Sequence, residues 1–201
     1  SEREDLVGHV YDITYGVVKS WQDTLVIMDD SVVRGTTLRT SILKILDRLE
    51  PKRIILVSSA PQIRYPDCYG IDMSKLGDFA AFQAAISIHK EQGNENLIKT
   101  IYENAKAELE KPNHLQRNVV KDLYAPLNDL DISKRIADMV KPKDIRYEFD
   151  ILFQTVENLH QACPNDIGDW YFTGDYPTPG GVAVANRAFV YFYEGRKERA
   201  Y

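Results

Sequence analysis

The stretch Leu25–Thr37, reading Leu-Val-Ile-Met-Asp-Asp-Ser-Val-Val-Arg-Gly-Thr-Thr, constrains this chain more than any other. Four apolar residues too short for an ordinary helix suit a strand, and their continuity predicts a strand covered on both faces, as in parallel sheets. Adjacent carboxylates at Asp29 and Asp30 then close the strand. They repel each other and are costly to bury unpaired, so they call for a cation such as Mg²⁺ or for donor hydroxyls such as those of a ribose. Ser31, Gly35, Thr36 and Thr37 add backbone N–H groups, hydroxyls and one position without a Cβ, the means by which a loop wraps a phosphate. A helix starting near Leu38 would bring a partial positive charge to the same place. Ligands of open α/β sheets bind beyond the carboxyl ends of the strands, which is where this loop falls. The bland reading, a polar strand exit followed by a turn and a helix cap, suits Asp-Asp or Gly-Thr-Thr taken singly. It does not account for the combination.

The segment is not a Walker A loop, because no Gly-Lys-Ser/Thr ending is present, and the chain has no Gly-x-Gly-x-x-Gly fingerprint. It resembles the 5-phosphoribosyl-1-pyrophosphate (PRPP) motif of type I phosphoribosyltransferases, and its wording is most similar to the amidophosphoribosyltransferase family. A second segment supports the same resemblance: Ala60-Pro61-Gln62-Ile63-Arg64-Tyr65-Pro66, followed by Tyr69-Gly70-Ile71-Asp72-Met73. A third, Phe172-Thr173-Gly174-Asp175-Tyr176-Pro177-Thr178, resembles the tail motif of the iron-sulfur subclass of that family.

Around these segments the chain reads as α/β. Val10–Val18 predicts a strand beside the Leu25 strand, with Gly16 at a bulge. Leu38, Ile42, Ile45, Leu46 and Leu49 form a helical stripe ending before Pro51, and Ile54–Val57 a second buried strand, together one right-handed βαβ unit. Tyr147–Phe153 predicts a further strand and Thr155–Cys163 a short helix. Between them, apolar stripes at Phe79, Phe82 and Ile86, at Leu97, Ile101, Ala105 and Leu109, at Leu115, Val119 and Leu123, and at Ile132, Ile136 and Val140 predict four helices. The last of these is expected to be capped near Asp131 or Ser133. The family has a much shorter passage here. The expected organisation is a partial type I phosphoribosyltransferase (Rossmann-like) parallel sheet over residues 1–77 and 141–179, a helical insertion over 78–140, and a C-terminal docking tail over 180–201.

Composition narrows the function classes. In 201 residues, 30 acidic against 25 basic side chains leave a net charge of −5, with no polybasic stripe, which argues against a nucleic-acid partner. No apolar run reaches membrane-spanning length, no signal peptide opens the chain, and two cysteines are too few for a disulfide framework; a reducing cytoplasm is expected. Cys68 and Cys163 read as packed thiols. His9, His89, His114 and His160 are scattered; His160 and Cys163 have helical spacing but make only two candidates for a zinc site.

The resemblance implies that Asp29 and Asp30 hold the ribose hydroxyls of PRPP and help to place Mg²⁺, in part through water. It implies that Ser31, Arg34, Gly35, Thr36 and Thr37 bind the 5′-phosphate. The implied reaction is displacement of pyrophosphate from C1 of PRPP by glutamine-derived ammonia, giving 5-phosphoribosylamine for purine synthesis. A glutaminase domain in the same full-length protein, purine nucleotide ligands and a homo-oligomer are implied as well. The chain is expected to be a C-terminal fragment with little transferase activity of its own. No iron-sulfur cluster is expected, since Asp67, Gly168 and Tyr171 stand where the subclass has cysteines and Cys68 falls one residue late. The competing reading is a non-enzymatic binding module of the same fold that keeps the loop as a PRPP or nucleotide sensor.

Overall fold

The computed structural model describes residues 16–70, 73–166 and 168–200. Most of the anticipated strand at 10–18 lies outside these residues, and so do Ile71 and Asp72. Within them, Gly16 has a positive φ of 83° and Val17 and Val18 form a bend, not a strand.

Strand β1 (Thr24–Asp29) pairs in parallel with β2 (Arg53–Ser58), and β2 pairs in parallel with β3 (Glu148–Phe153), so the sheet order is β1-β2-β3. The register places Leu25 beside Ile54 and Ile54 beside Phe149, then Ile27 beside Leu56 and Leu56 beside Ile151. These side chains share the face turned towards the helices, and Ile54, Leu56, Phe149 and Ile151 are buried. An α/β fold with a parallel sheet is thus present, consistent with a partial Rossmann-like phosphoribosyltransferase fold.

The expectation of a strand covered on both faces is corrected. Val26 is 62% exposed, Met28 78% and Leu152 53%. Among the described residues the helices pack on one side only, so a continuous apolar run here alternates between core and open surface. The row Met28, Val57, Leu152 and its neighbours Val26 and Ile55 form that open face, crossed by an ion pair between Arg53 and Asp150 at 2.6 Å.

The connection from β1 to β2 departs from a simple α-helix. A π-helical turn (Leu38–Ile42) leads directly into α1 (Leu43–Asp47), and the Leu43 N–H donates to the Leu38 carbonyl, five residues back. Leu38 and Leu43 are both buried, as are Ser41 and Ile45, whereas Ile42 and Leu46 are only partly covered. The anticipated stripe shifts because the extra residue per turn advances the core-facing register.

The helical layer comprises α2 (Ala80–Glu91), α3 (Glu95–Leu109), α4 (Lys121–Tyr124) and α5 (Asp129–Val140), with single 3₁₀ turns at Leu76–Asp78 and Asn113–Leu115. Helix α2 packs on α5, and α5 on β3. The stripe through Leu115, Val119 and Leu123 is not one helix: Leu115 is 61% exposed, while Val119 and Leu123 are fully buried. Asn118 interrupts it, accepting the Val120 N–H and donating to the Gly174 carbonyl. The cap of α5 is Asn128, whose side chain accepts the Leu130 N–H at 2.8 Å, and Asp129 and Asp131 occupy the first turn.

After β3, Thr155 caps α6 (Val156–Ala162) by accepting the Asn158 N–H at 3.0 Å. A short turn, α7 (Trp170–Thr173), precedes α8 (Pro179–Tyr193), which begins with proline and packs along α3. The fully buried Phe189 makes an edge-to-face contact with Phe82, so the terminal segment belongs to the core of the helical layer. Among the described residues, no helix is long and apolar enough to cross a membrane.

Candidate functional site

Asp29 ends β1, and Asp30 begins the loop beyond it. The exit of β2 holds both in place: the Ser59 N–H donates to the Asp29 carbonyl and the Ala60 N–H to the Asp30 carbonyl, each at 3.0 Å. Each carboxylate also accepts the N–H of the next residue, Asp29 from Asp30 at 3.0 Å and Asp30 from Ser31 at 2.7 Å. The Asp29 carboxyl titrates above the usual aspartate range. Burial is the main cause; the Asp30 N–H opposes it, and the neighbouring Asp30 carboxylate adds to it.

Beyond the pair the loop runs along the helical layer. Val32 is buried, the Val33 carbonyl accepts the Ala80 N–H at 2.7 Å, and Gly35 lies against Val140. Gly35 has a φ of +68°, and a Cβ there would stand 2.6 Å from Val140 Cγ2, so both backbone conformation and space demand glycine. The block 78–140 therefore holds the loop at both ends of the block, through Ala80 and Val140. Thr36 and Thr37 are exposed. Thr37 is the cap residue of the π turn, and its hydroxyl makes no capping hydrogen bond. The Thr36 carbonyl accepts the Thr40 hydroxyl at 2.9 Å.

The anticipated site residues divide. Arg34, Gly35 and Thr36 line a cleft of about 670 Å³ between the loop helix and the end of α5, whereas Asp29, Asp30, Ser31 and Thr37 do not. The cleft also takes in Arg39, Lys44 and Lys143, none of which the sequence reading singled out. Arg39 and Lys44 are separated by a spacing that does not share a face in an α-helix, and Lys143 is remote in sequence, so no local pattern marked them.

For a divalent cation the donor set is two adjacent carboxylates; no group of three His, Cys, Asp or Glu side chains capable of holding a metal occurs among the described residues. Two carboxylates suit a hydrated Mg²⁺ that completes its shell with water and substrate oxygens, and do not form an all-protein cage. His160 does not turn to Cys163 but places Nε2 3.0 Å from an Asp169 carboxylate oxygen. Cys163 is exposed, which corrects the expectation of a packed thiol; Cys68 is partly buried against the core.

The other two signature segments pack on each other. Arg64 and Tyr65 donate their N–H groups to the Tyr171 carbonyl at 2.8 and 3.1 Å, and the Tyr176 hydroxyl donates to the Pro66 carbonyl at 2.6 Å. Tyr171 donates its hydroxyl to the fully buried Asp67 at 2.8 Å, and the other Asp67 oxygen accepts the Tyr69 N–H. Burial and this carboxylate push the Tyr171 phenol up to about 12. At these positions the resemblance requires thiolates, and a carboxylate and a phenol bonded to each other do not supply them.

Known proteins are similar to this chain over a limited stretch. It is 41% identical over 58 residues to an amidophosphoribosyltransferase of Pasteurella multocida, which covers 29% of the chain and 11% of that protein. The amidophosphoribosyltransferase of Escherichia coli is 40% identical over 57 residues, again 11% of its length, and that of Pyrococcus horikoshii 36% identical over 74 residues, 16% of its length. The chain thus spans between 11% and 16% of the length of these curated relatives. No family model matches, and no solved structure matches.

Proposed function

We propose that this chain carries the PRPP-binding wall of an amidophosphoribosyltransferase-type phosphoribosyltransferase. The observation that carries the reading is the position of Asp29 and Asp30 at the carboxyl end of a parallel strand, followed at once by a loop with exposed threonines and an obligatory glycine. The relatives' names support the same chemistry.

In this reading the Asp29 and Asp30 carboxylates accept the two ribose hydroxyls. Ser31, Arg34, Gly35, Thr36 and Thr37 receive the 5′-phosphate on hydroxyls and N–H groups. The Asp29 and Asp30 carboxylates would hold Mg²⁺ through water, and the ion would supply charge neutralisation for the departing pyrophosphate. The chain's own contribution is positional: the loop is fixed through Val33 and Gly35, so the sugar is oriented before reaction. The C1–N bond forms as the C1–O bond to pyrophosphate breaks, and nitrogen loses a proton to solvent. The glutaminase domain that supplies ammonia, the homo-oligomer, purine-nucleotide binding and a cytoplasmic setting belong to the full-length protein in this proposal. The Asp67–Tyr171 hydrogen bond takes over the joining role that thiolates and a cluster play in the iron-sulfur subclass.

Calorimetric titration of the chain with PRPP and Mg²⁺ tests the reading. Heat is expected for the native chain and none for Asp29→Asn/Asp30→Asn; the same isotherm for both would overturn it. Retained binding in a full-length protein that forms no phosphoribosylamine from ammonia would favour the sensor module instead.

A further inference from the structure

A second cleft, of about 780 Å³, lies between the helical block and the Phe172–Thr178 motif. Arg117, Lys121 and Ala125 belong to one wall, and Tyr65, Phe172 and Tyr176 to the other, so neither the block nor the signature segments make the cleft alone. It shares no residue with the loop after β1. Its cations are already paired. Arg117 donates to both oxygens of Asp122 at 3.1 and 3.0 Å, Lys121 Nζ lies 2.6 Å from Asp175, and Arg64 lies 2.5 Å from Asp129. A phosphate or carboxylate entering here must compete with a carboxylate already in place, so the cleft favours an uncharged occupant.

The neutral polar groups are engaged as well, with one exception. Asn118 donates to the Gly174 carbonyl and accepts the Val120 N–H. Tyr124 donates its hydroxyl to the Arg64 carbonyl, Tyr176 to the Pro66 carbonyl, and Thr173 to Asp169. The exception is Tyr65. It is only 3% exposed, yet among the described residues its hydroxyl has no hydrogen-bond partner. The oxygen is not sealed in the core. Tyr65 Cζ, which carries it, stands 2.8 Å from where a Cβ at Gly174 would be, so the hydroxyl end of the ring reaches the cleft beside a residue with no side chain to cover it. Burial holds this phenol well above the ordinary tyrosine range and keeps it a neutral donor. An acceptor arriving from the cleft completes it.

We propose that this cleft binds an uncharged aromatic or heteroaromatic compound bearing a hydrogen-bond acceptor, with its ring against Phe172 and its acceptor on the Tyr65 hydroxyl. Phe172, Val156 and Val182 are partly exposed along the cleft and supply the apolar surface for such a ring. An aromatic-lined cleft of this volume with one open polar group has the make-up of a small-molecule site. A nucleotide is disfavoured, because its phosphates meet no unpaired cation here. The block 78–140 thereby gains a ligand-binding role distinct from holding the loop at Val33 and Gly35.

Benzamide, a neutral ring with a carbonyl acceptor, is the probe, titrated into the 201-residue chain and followed by amide and tyrosine ring shifts. Saturable shifts are expected at residues 64–65, 117–125 and 172–176. Benzoate and benzylammonium, which keep the ring and add a charge, and cyclohexanecarboxamide, which keeps the amide without the aromatic ring, are each expected to bind about fivefold more weakly or worse. Tyr65→Phe removes only an oxygen that no protein group bonds, so its thermal midpoint is expected to match the native chain while benzamide affinity falls about fivefold. Ala125→Trp, at an exposed position on the cleft wall, is expected to block benzamide by filling the cleft. The proposal is overturned by absence of saturable benzamide shifts, by shifts confined to other regions, by undiminished affinity in Tyr65→Phe or in folded Ala125→Trp, or by equal affinity for any of the three analogues. Because no residue is shared with the loop after β1, each of these outcomes is read independently of PRPP binding.

Discussion

The phenol of Tyr171 and the carboxylate of Asp67, 2.8 Å apart, tie the loop after β2 to the segment that opens the Phe172–Thr178 motif. Asp67 is fully buried, and the Tyr171 hydroxyl and the Tyr69 N–H both donate to it, so losing the Tyr171 bond takes a donor from a buried carboxylate.

Tyr171→Phe should therefore destabilise the chain by about 1–3 kcal/mol, the cost of leaving a buried acceptor short of a donor. The bond also imposes a pH dependence. The Tyr171 phenol titrates at about 12 in the folded chain against 10.0 for a free tyrosine. Its contribution to stability is complete below pH 10 and is lost as pH rises through about 12. Denaturant melts across that window should lose less stability in the Phe variant than in the native chain.

The aspartate pair predicts the same sign in a lower pH range, with stability falling as pH rises. Because Asp29 titrates above the ordinary aspartate value, the folded chain holds its proton more tightly than the unfolded chain does. Ionised Asp29 costs stability at pH above that raised value, and the cost disappears as pH falls through it. Mg²⁺ must compete with this proton, so affinity for the ion with PRPP should begin to fall at a higher pH than an ordinary aspartate would give. Asp30→Asn removes a neighbouring negative charge and should move the Asp29 titration down, as read by carboxyl carbon shifts.

Gly35→Ala should cost about 1–3 kcal/mol from its backbone strain alone, with the Val140 contact adding to the loss. PRPP binding should weaken in parallel. Val140→Ala in the same chain should relieve the steric part and leave the strain, visible as partial recovery of the thermal midpoint.

The one-sided sheet predicts a contrast. Leu56, buried under the helices, should cost about 2–5 kcal/mol on replacement by alanine. Met28, exposed on the other face, should change stability by no more than about 0.5 kcal/mol on replacement by glutamine. Equal losses at the two positions would show the outer face to be covered in solution.

Much of this architecture was legible along the chain. Leu25–Met28, Ile54–Val57 and the run ending at Phe153 are strands because short β-branched and apolar runs between polar exits have few alternatives. The stripes of α2, α3 and α5 follow the helical period, and Asp29 and Asp30 fall at a strand end because charged side chains must leave the core there. Other features escaped because they depend on partners distant in sequence. Val26 and Met28 have the same apolar character as Leu25 and Ile27, and only the placement of helices on one face separates them. Cys163 likewise looked like core and lies exposed.

By itself, then, the sequence determined the strand, the acidic exit and the glycine-bearing loop, all set by nearest neighbours and by the cost of burying charge. Tertiary structure alone decided the π turn that sends Leu38 and Leu43 inward and Arg39 and Lys44 into the cleft, the approach of Lys143 from the far wall, and the pairing of Tyr171 with Asp67. These are long-range choices. Each is made by the packing of surfaces that no local pattern records, where a half-turn of register or one buried carboxylate selects among alternatives of similar local energy.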